Sequence, residues 1–337
     1  MTALLDVRNL GIGYRTSRGD AKAVDGISFA IEPGEYLGLV GESGCGKSTI
    51  AKTLLGILPD NASISGSVIF DGTELLGLRE AKFRAIRWTG ISLVPQSAMN
   101  GLDPVYTVGH QIREAIESHR QMLPAERDRR IEELFALVGL PKVRLKDYPH
   151  QFSGGMRQRA MIAMSMVLDP ALIVADEPTT GLDVIVQDQI MRRMREIHER
   201  LGKSMLLITH DMALVSENCD KIAVMYAGRV MEYGGERVFR EPHHPYTMGL
   251  CAAFPDFDDR RRELISIPGA PPDLLKPPSG CRFHQRCPFA TAQCATQEPP
   301  AVEIAPGHVA ACHYLDRAEE FRARAKDPRT WRAPQAA

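Results

Sequence analysis

The chain has 337 residues, with 41 lysines and arginines against 42 aspartates and glutamates and a formal charge of −1. That length buries a full core and predicts more than one domain, and the even charge argues against a dominant nucleic-acid interaction. No apolar run approaches the roughly 18 residues of a membrane span, so any membrane role runs through a partner.

Residues 1–10 lack a basic segment followed by an apolar one, which argues against a secretion signal. Residues 4–32 alternate at period two in places (Ile27, Phe29, Ile31), with glycines at bends, and predict a small β layer. Tyr14 lies in it. Its ring fits either stacking on an adenine base or ordinary packing within a strand.

The apolar run 37–40 then leads into Gly41-Glu42-Ser43-Gly44-Cys45-Gly46-Lys47-Ser48-Thr49, which matches G-x-x-x-x-G-K-[ST], the phosphate-cradling P-loop. Ile50, Leu54, Leu55 and Leu58 predict the helix that must follow. Glycines let the backbone curl with its N–H groups inward, and the helix start adds positive partial charge. Lys47 is placed to reach the β- and γ-phosphates and the Ser48 hydroxyl to take a position on Mg²⁺. Cys45, near a helix N-terminus where thiol pKa tends to fall, is expected to react with maleimide in the empty protein and to be shielded by Mg-ATP, the alternative being a small loop residue without reactivity.

Residues 66–72 predict a strand and turn, 79–88 a basic helix, and 91–94 a buried strand ending at Pro95 and Gln96. An amide there suits contact with the metal or the attacking water, or no role at all. Residues 107–169 read as a helical insert, with Pro124 starting one helix and Gly139 ending it. Within it, Ser153 is a good N-cap. Gly154 and Gly155 in the first helical turn cost helix stability, which bare N–H groups at an anion site would explain. The apolar strand 171–175 ends in Asp176 and Glu177, adjacent acids that are costly without cations or polarised water. Asp176 suits a water on Mg²⁺, and Glu177 suits orienting or deprotonating the attacking water. A last strand, 205–208, ends at Thr209 and His210, placed either to sense the γ-phosphate or to serve structure alone.

The ordered set Tyr14, residues 41–49, Gln96, residues 153–158, Asp176, Glu177, residues 180–183 and His210 resembles the ATP-binding subunit of ABC transporters over roughly residues 4–235. The resemblance implies an α/β P-loop NTPase core with an antiparallel β subdomain, a helical subdomain at about 97–168, and a C-terminal extension over 236–337. It implies that Tyr14 stacks on adenine, Gln96 is the loop glutamine, and Glu177 is the catalytic carboxylate. Ser153, Gly154 and Gly155 become the signature, Asp183 the dimer-loop acid, and His210 the switch histidine. Met156 departs from the family's usual glutamine. Two such subunits are expected to pack head to tail, each ATP lying between one P-loop and the other subunit's signature. The region 96–111 is then expected to pass the closing motion to a membrane partner.

Beyond residue 235 the proline-rich stretches predict an extended, fixed path. Cys281, Cys287, Cys294 and Cys312 follow at C-x5-C-x6-C-x17-C, and thiolates suit zinc or an iron–sulfur cluster, although zinc-knuckle spacing is absent. The run His244-Pro245-Tyr246-Thr247 and the G-C-x-F-x-x-R-C stretch resemble the dipeptide, oligopeptide and nickel import branch. That likeness implies a 4Fe-4S cluster on the four cysteines. It also implies a second, different ATPase subunit, two integral membrane permease subunits, an extracytoplasmic binding protein, and a place at the cytoplasmic face of the inner membrane. Cys219 and Cys251 read as packing residues, and residues 317–337 as a solvated helix with a frayed end.

Overall fold

The computed structural model describes residues 2–96, 101–253 and 265–332. β1 (Leu5–Thr16) and β2 (Gly19–Ile31) form an antiparallel hairpin whose alternating apolar face includes Val7, Ile27, Phe29 and Ile31. β3 (Tyr36–Val40) leaves that layer and is buried along its whole length. It feeds the loop ahead of α1 (Lys47–Leu54). β4 (Ala62–Phe70) returns to pair with β1 and turns at Asp71 and Gly72, both at positive φ. With β5 (Thr73–Glu74) it completes a four-stranded sheet ordered β2-β1-β4-β5. This is the β layer the sequence predicts.

After α2 (Glu80–Ile86) and β6 (Ile91–Val94) the insert expected at 97–168 begins with residues 97–100, which lie outside the described residues. Its described helices are α3 (Val108–Glu117), α4 (Pro124–Leu137) and α5 (Gly154–Ser165). Thr107 caps the first, Pro124 opens the second, and Gly139 at φ 72° lies just beyond its end. Ile112, Ile116, Ile131, Leu134 and Phe135 are buried in the same core as Met161 and Met164.

β7 (Leu172–Asp176), α6 (Val184–Leu201), β8 (Ser204–Thr209), α7 (Met212–Asn218), β9 (Lys221–Tyr226) and β10 (Arg229–Gly234) follow. In the second sheet β6, β7, β8, β3 and β9 run parallel in that order. Helices cover a parallel sheet on both faces, so its strands read as continuous apolar runs rather than alternating ones. β3, β7 and β8 are accordingly buried at every position. The parallel arrangement matters for chemistry because it aligns the carboxyl ends of β3, β6, β7 and β8, where such sheets bind ligands.

The remainder of the chain continues this sheet. After α8 (Arg237–Arg240) and α9 (Pro245–Ala252), then α10 (Ala292–Thr296), come β11 (Val302–Ala305) and β12 (His308–Ala310). β12 pairs antiparallel with β10, Tyr233 opposite Val309. α11 (Ala318–Ala325) is not the solvated helix the charged sequence suggests. Ala318, Phe321 and Ala325 are buried, Phe321 stacks on Phe289 with centroids 4.1 Å apart, and buried Trp331 donates its indole N–H to Ala325 O at 3.0 Å. The charges occupy one face and hide a narrow apolar stripe. The frayed end falls on residues 333–337, outside the described residues.

Candidate active site

The loop after β3 is shaped by its glycines. Gly46 sits at φ 107°, and a Cβ there would stand 2.2 Å from Ala23 O. A Cβ at Gly41 would stand 2.0 Å from Met225 O. No side chain fits either place. Lys47 is buried and donates through Nζ to Gly41 O at 2.6 Å and Glu42 O at 3.0 Å. The loop thus curls around the Lys47 ammonium. Tyr14, on β1 opposite Ala21 and Ala62, donates its hydroxyl to Thr49 Oγ1 at 3.3 Å, which ties the aromatic to the start of α1.

At the end of β7, Asp176 accepts from Ser48 Oγ at 3.1 Å. Burial pushes its carboxyl up, the Ser48 bond works against this, and the Glu177 charge reinforces it. Glu177 sits at φ 45°, its N–H donating to Ile208 O at 2.8 Å. That left-handed turn, uncommon for glutamate, swings the carboxylate toward three partners from three other places in the chain. Gln96 Nε2 and Thr180 Oγ1 each donate to Oε2 at 2.9 Å, and His210 Nδ1 lies 3.3 Å from Oε1. Burial acts to raise the Glu177 carboxyl. The bonds from Thr180 and His210 and the charges of His210 and Lys47 outweigh it and hold the group below the ordinary glutamate range. It is an ionised acceptor at neutral pH, oriented on both oxygens.

The structure thus brings Lys47, Ser48, Gln96, Asp176, Glu177 and His210 to one edge of the parallel sheet. Their donor set fits Mg²⁺, a hard cation that takes oxygen ligands. Ser48 offers its hydroxyl, Asp176 a carboxylate, and Gln96 the amide oxygen, its nitrogen serving Glu177. When bound, the ion would polarise the phosphate oxygens and offset their charge.

Ser153, Gly154 and Gly155 stand apart at the start of α5. Ser153 is exposed and its Oγ accepts from Met156 N at 3.3 Å. The glycines have a packing reason that the sequence alone does not reveal. A Cβ on Gly155 would lie 2.5 Å from Val186 Cγ1, and one on Gly154 3.2 Å from Leu182 Cδ2. Close approach of α5 to α6 requires Gly155, whereas beside Gly154 only the movable end of a side chain must give. Asp183 caps α6 by accepting from Val186 N at 3.0 Å, and the next two residues, Val184 and Ile185, are 79% and 71% exposed.

A family model described as ABC transporter matches residues 24–180, and one described as the C-terminal region of oligopeptide/dipeptide transporters matches 231–294. The dipeptide transport ATP-binding protein DppD of Lactococcus lactis is 46% identical over 93% of this chain and 91% of its own length. The chain belongs to the ABC transporter ATPases. The oligopeptide transport ATP-binding protein OppD of Escherichia coli is 45% identical over 92% of this ATPase and 93% of itself. Among solved structures, a dimeric ATP-binding cassette in a post-hydrolysis state, bound to ADP and Pi, aligns with TM-score 0.62 and 27% identity. The match covers 69% of this chain and 99% of that one. Like those cassettes, this chain is an ATP-hydrolysing enzyme of the P-loop fold, with mixed sheets and helices.

Two expectations are corrected. The 4Fe-4S cluster on Cys281, Cys287, Cys294 and Cys312 has no support: the relatives are named as ATP-binding transport proteins and neither matched family description carries a cluster. The four thiols do line one cavity, but its volume is about 20 Å³, room for a single water. Among the described residues no three of their sulfurs lie within 4.8 Å of one another, the closeness that one shared ion such as zinc needs. Burial pushes the Cys281 and Cys312 thiols up to about 11 and raises Cys287 further. The cysteine spacing is legible; the apolar packing around it is not.

The second correction is Cys45. It is 2% exposed, and burial raises its thiol despite the nearby Lys47 charge. The helix N-terminus is present, but desolvation of the thiolate wins. Native protein is expected to take up no maleimide at Cys45, with or without Mg-ATP, and to label there after unfolding. Peptide mapping by mass spectrometry checks this.

Proposed function

We propose that this ATPase energises import of di- and oligopeptides through a separate membrane permease, with ATP bound at residues 41–49 and cut under the control of Glu177. The observation carrying the reading is the convergence on Glu177 of Gln96, Thr180 and His210 beside Lys47, Ser48 and Asp176. The peptide substrate is supported by relatives named for dipeptide and oligopeptide transport and by the C-terminal family match. Nickel is not favoured by any of them.

In this reading Lys47 binds the β- and γ-phosphates, Ser48 and Gln96 hold Mg²⁺, Asp176 holds its water, and Tyr14 stacks on adenine. Ser153, Gly154 and Gly155 meet the ATP of a second ATPase subunit, a different chain, in a head-to-tail pair. ATP then stabilises the closed pair through contacts the open pair lacks. Residues 1–235 form the nucleotide-binding unit and 236–337 the C-terminal extension. Among the described residues no helix is long and apolar enough to cross a membrane. In this reading the chain sits peripherally at the cytoplasmic face, against two permease subunits fed by an extracytoplasmic binding protein. The test is uptake of labelled di- and tripeptides into vesicles carrying this chain with its permease subunits, second ATPase and binding protein. ATP-dependent peptide accumulation is expected; accumulation of Ni²⁺ but no peptide would reject the substrate.

A further inference from the structure

The C-terminal region reaches back across the molecule to one residue of the phosphate loop. Arg286 is 8% exposed, and its Nη1 donates to Glu42 Oε2 at 2.7 Å. The same guanidinium is fixed on its other sides. Nε donates to Pro268 O at 2.8 Å, Nη2 to Ile267 O at 3.3 Å and Nη1 to Tyr226 Oη at 3.3 Å, and the carbon lies 5.6 Å from the Tyr226 ring centroid. A second contact comes from α9, where the Tyr246 hydroxyl accepts from Glu42 N at 3.1 Å. Tyr246 is fully buried against Tyr226 and Phe283.

Glu42 also supplies one of the two carbonyls on which Lys47 rests. Its three polar groups are thus divided. The carbonyl serves Lys47, whereas the N–H and the carboxylate belong to the C-terminal region. The Glu42 N–H points at Tyr246 and so is not one of the donors left for phosphate. Its bond fixes the stem from which those donors curl.

We propose that Arg286 and Tyr246 are positioning residues for nucleotide binding, clamping Glu42 so that the phosphate loop is already curved before ATP arrives. A preformed loop spares the ordering cost that a free loop would pay on binding, and the gain appears as affinity. Neither residue touches the reacting atoms, so the effect belongs to ATP affinity and KM while kcat at saturation stays near wild type. The inference rests on the reading of residues 41–49 as the ATP site.

The experiment titrates full-length protein with a fluorescent ATP analogue and Mg²⁺, beside thermal melts of each variant. Arg286→Met is expected to weaken binding about tenfold, the scale of one lost buried charge-assisted bond. Arg286→Lys keeps the charge but not the fork onto Pro268 and Ile267 and should fall between. Tyr246→Phe removes only the acceptor of the Glu42 N–H and should weaken binding several-fold with an unchanged melting midpoint. Glu42→Gln combined with Arg286→Met should be no weaker than Arg286→Met alone, because one interaction is lost once. Wild-type affinity in Arg286→Met and Tyr246→Phe, with Lys47→Ala losing binding, would overturn the proposal and leave the ATP site standing. Normal binding in Lys47→Ala would instead overturn the site on which it rests.

Discussion

Glu177→Gln is expected to bind Mg-ATP as tightly as wild type and to lose about 10²–10⁴-fold in turnover, the range of a positioned general base. The amide matches the carboxylate in shape, so a local rearrangement is not the cause of the loss. It retains one oxygen to accept from Thr180 or Gln96, but it cannot take a proton or carry the charge that orients water. Phosphate release at saturating ATP, set against nucleotide affinity, checks the split; wild-type turnover would remove Glu177 from the role. A companion change tests how the base is tuned. The His210 bond and charge help hold the Glu177 carboxyl down against its burial. His210→Ala removes that lowering influence, so the Glu177 pKa rises. The acid limb of the pH–rate profile then moves to higher pH, with activity lost earlier on acidification. An unmoved limb would mean that His210 does not tune the base.

The parallel strands could be read from sequence because burial on both faces writes them as unbroken apolar runs, as at Leu172–Asp176 and Ser204–Thr209. Their polar ends then stood out: Asp176 and Glu177 after one strand, Thr209 and His210 after another, Gln96 after a third. What sequence could not supply was that these ends face one carboxylate. Gln96 and Glu177 are 81 positions apart, and the pairing exists only because β6 and β7 are neighbours in the sheet. Arg286 and Glu42 are separated by 244 positions. The R-C and H-P-Y-T runs were visible as marks of a branch, yet nothing local ties either to the phosphate loop. Cys45 and α11 were misread for a different reason. Local rules about helix ends and charged stretches carry no information about burial, and burial decided both.

Gly154→Asp is the substitution in which stability and activity should part most sharply. The residue opens α5 behind the Ser153 cap, and among the described residues the one close neighbour of its missing Cβ is Leu182 Cδ2, the movable end of a side chain. Replacing glycine by aspartate at a first helical turn recovers roughly 0.3 kcal/mol of helix propensity. An acid there also complements the helix dipole by about 0.3–1 kcal/mol. The melting midpoint should therefore hold or rise. The same carboxylate would stand where the proposed arrangement brings the γ-phosphate of ATP carried by the other subunit, and two anions would meet at a site built of bare N–H donors. Binding of ATP to the single chain should be unchanged, because Lys47 and Ser48 are untouched. ATP-dependent pairing and turnover in the assembled transporter should fall by at least about 10²-fold, the scale on which a charge-stabilising site is lost. At Gly155, by contrast, any Cβ meets Val186 and the fold itself is strained, so Gly154 separates the two roles cleanly. A stable Gly154→Asp protein with normal turnover would show that this helix start faces no nucleotide, and the head-to-tail pair would have to be rebuilt on another surface.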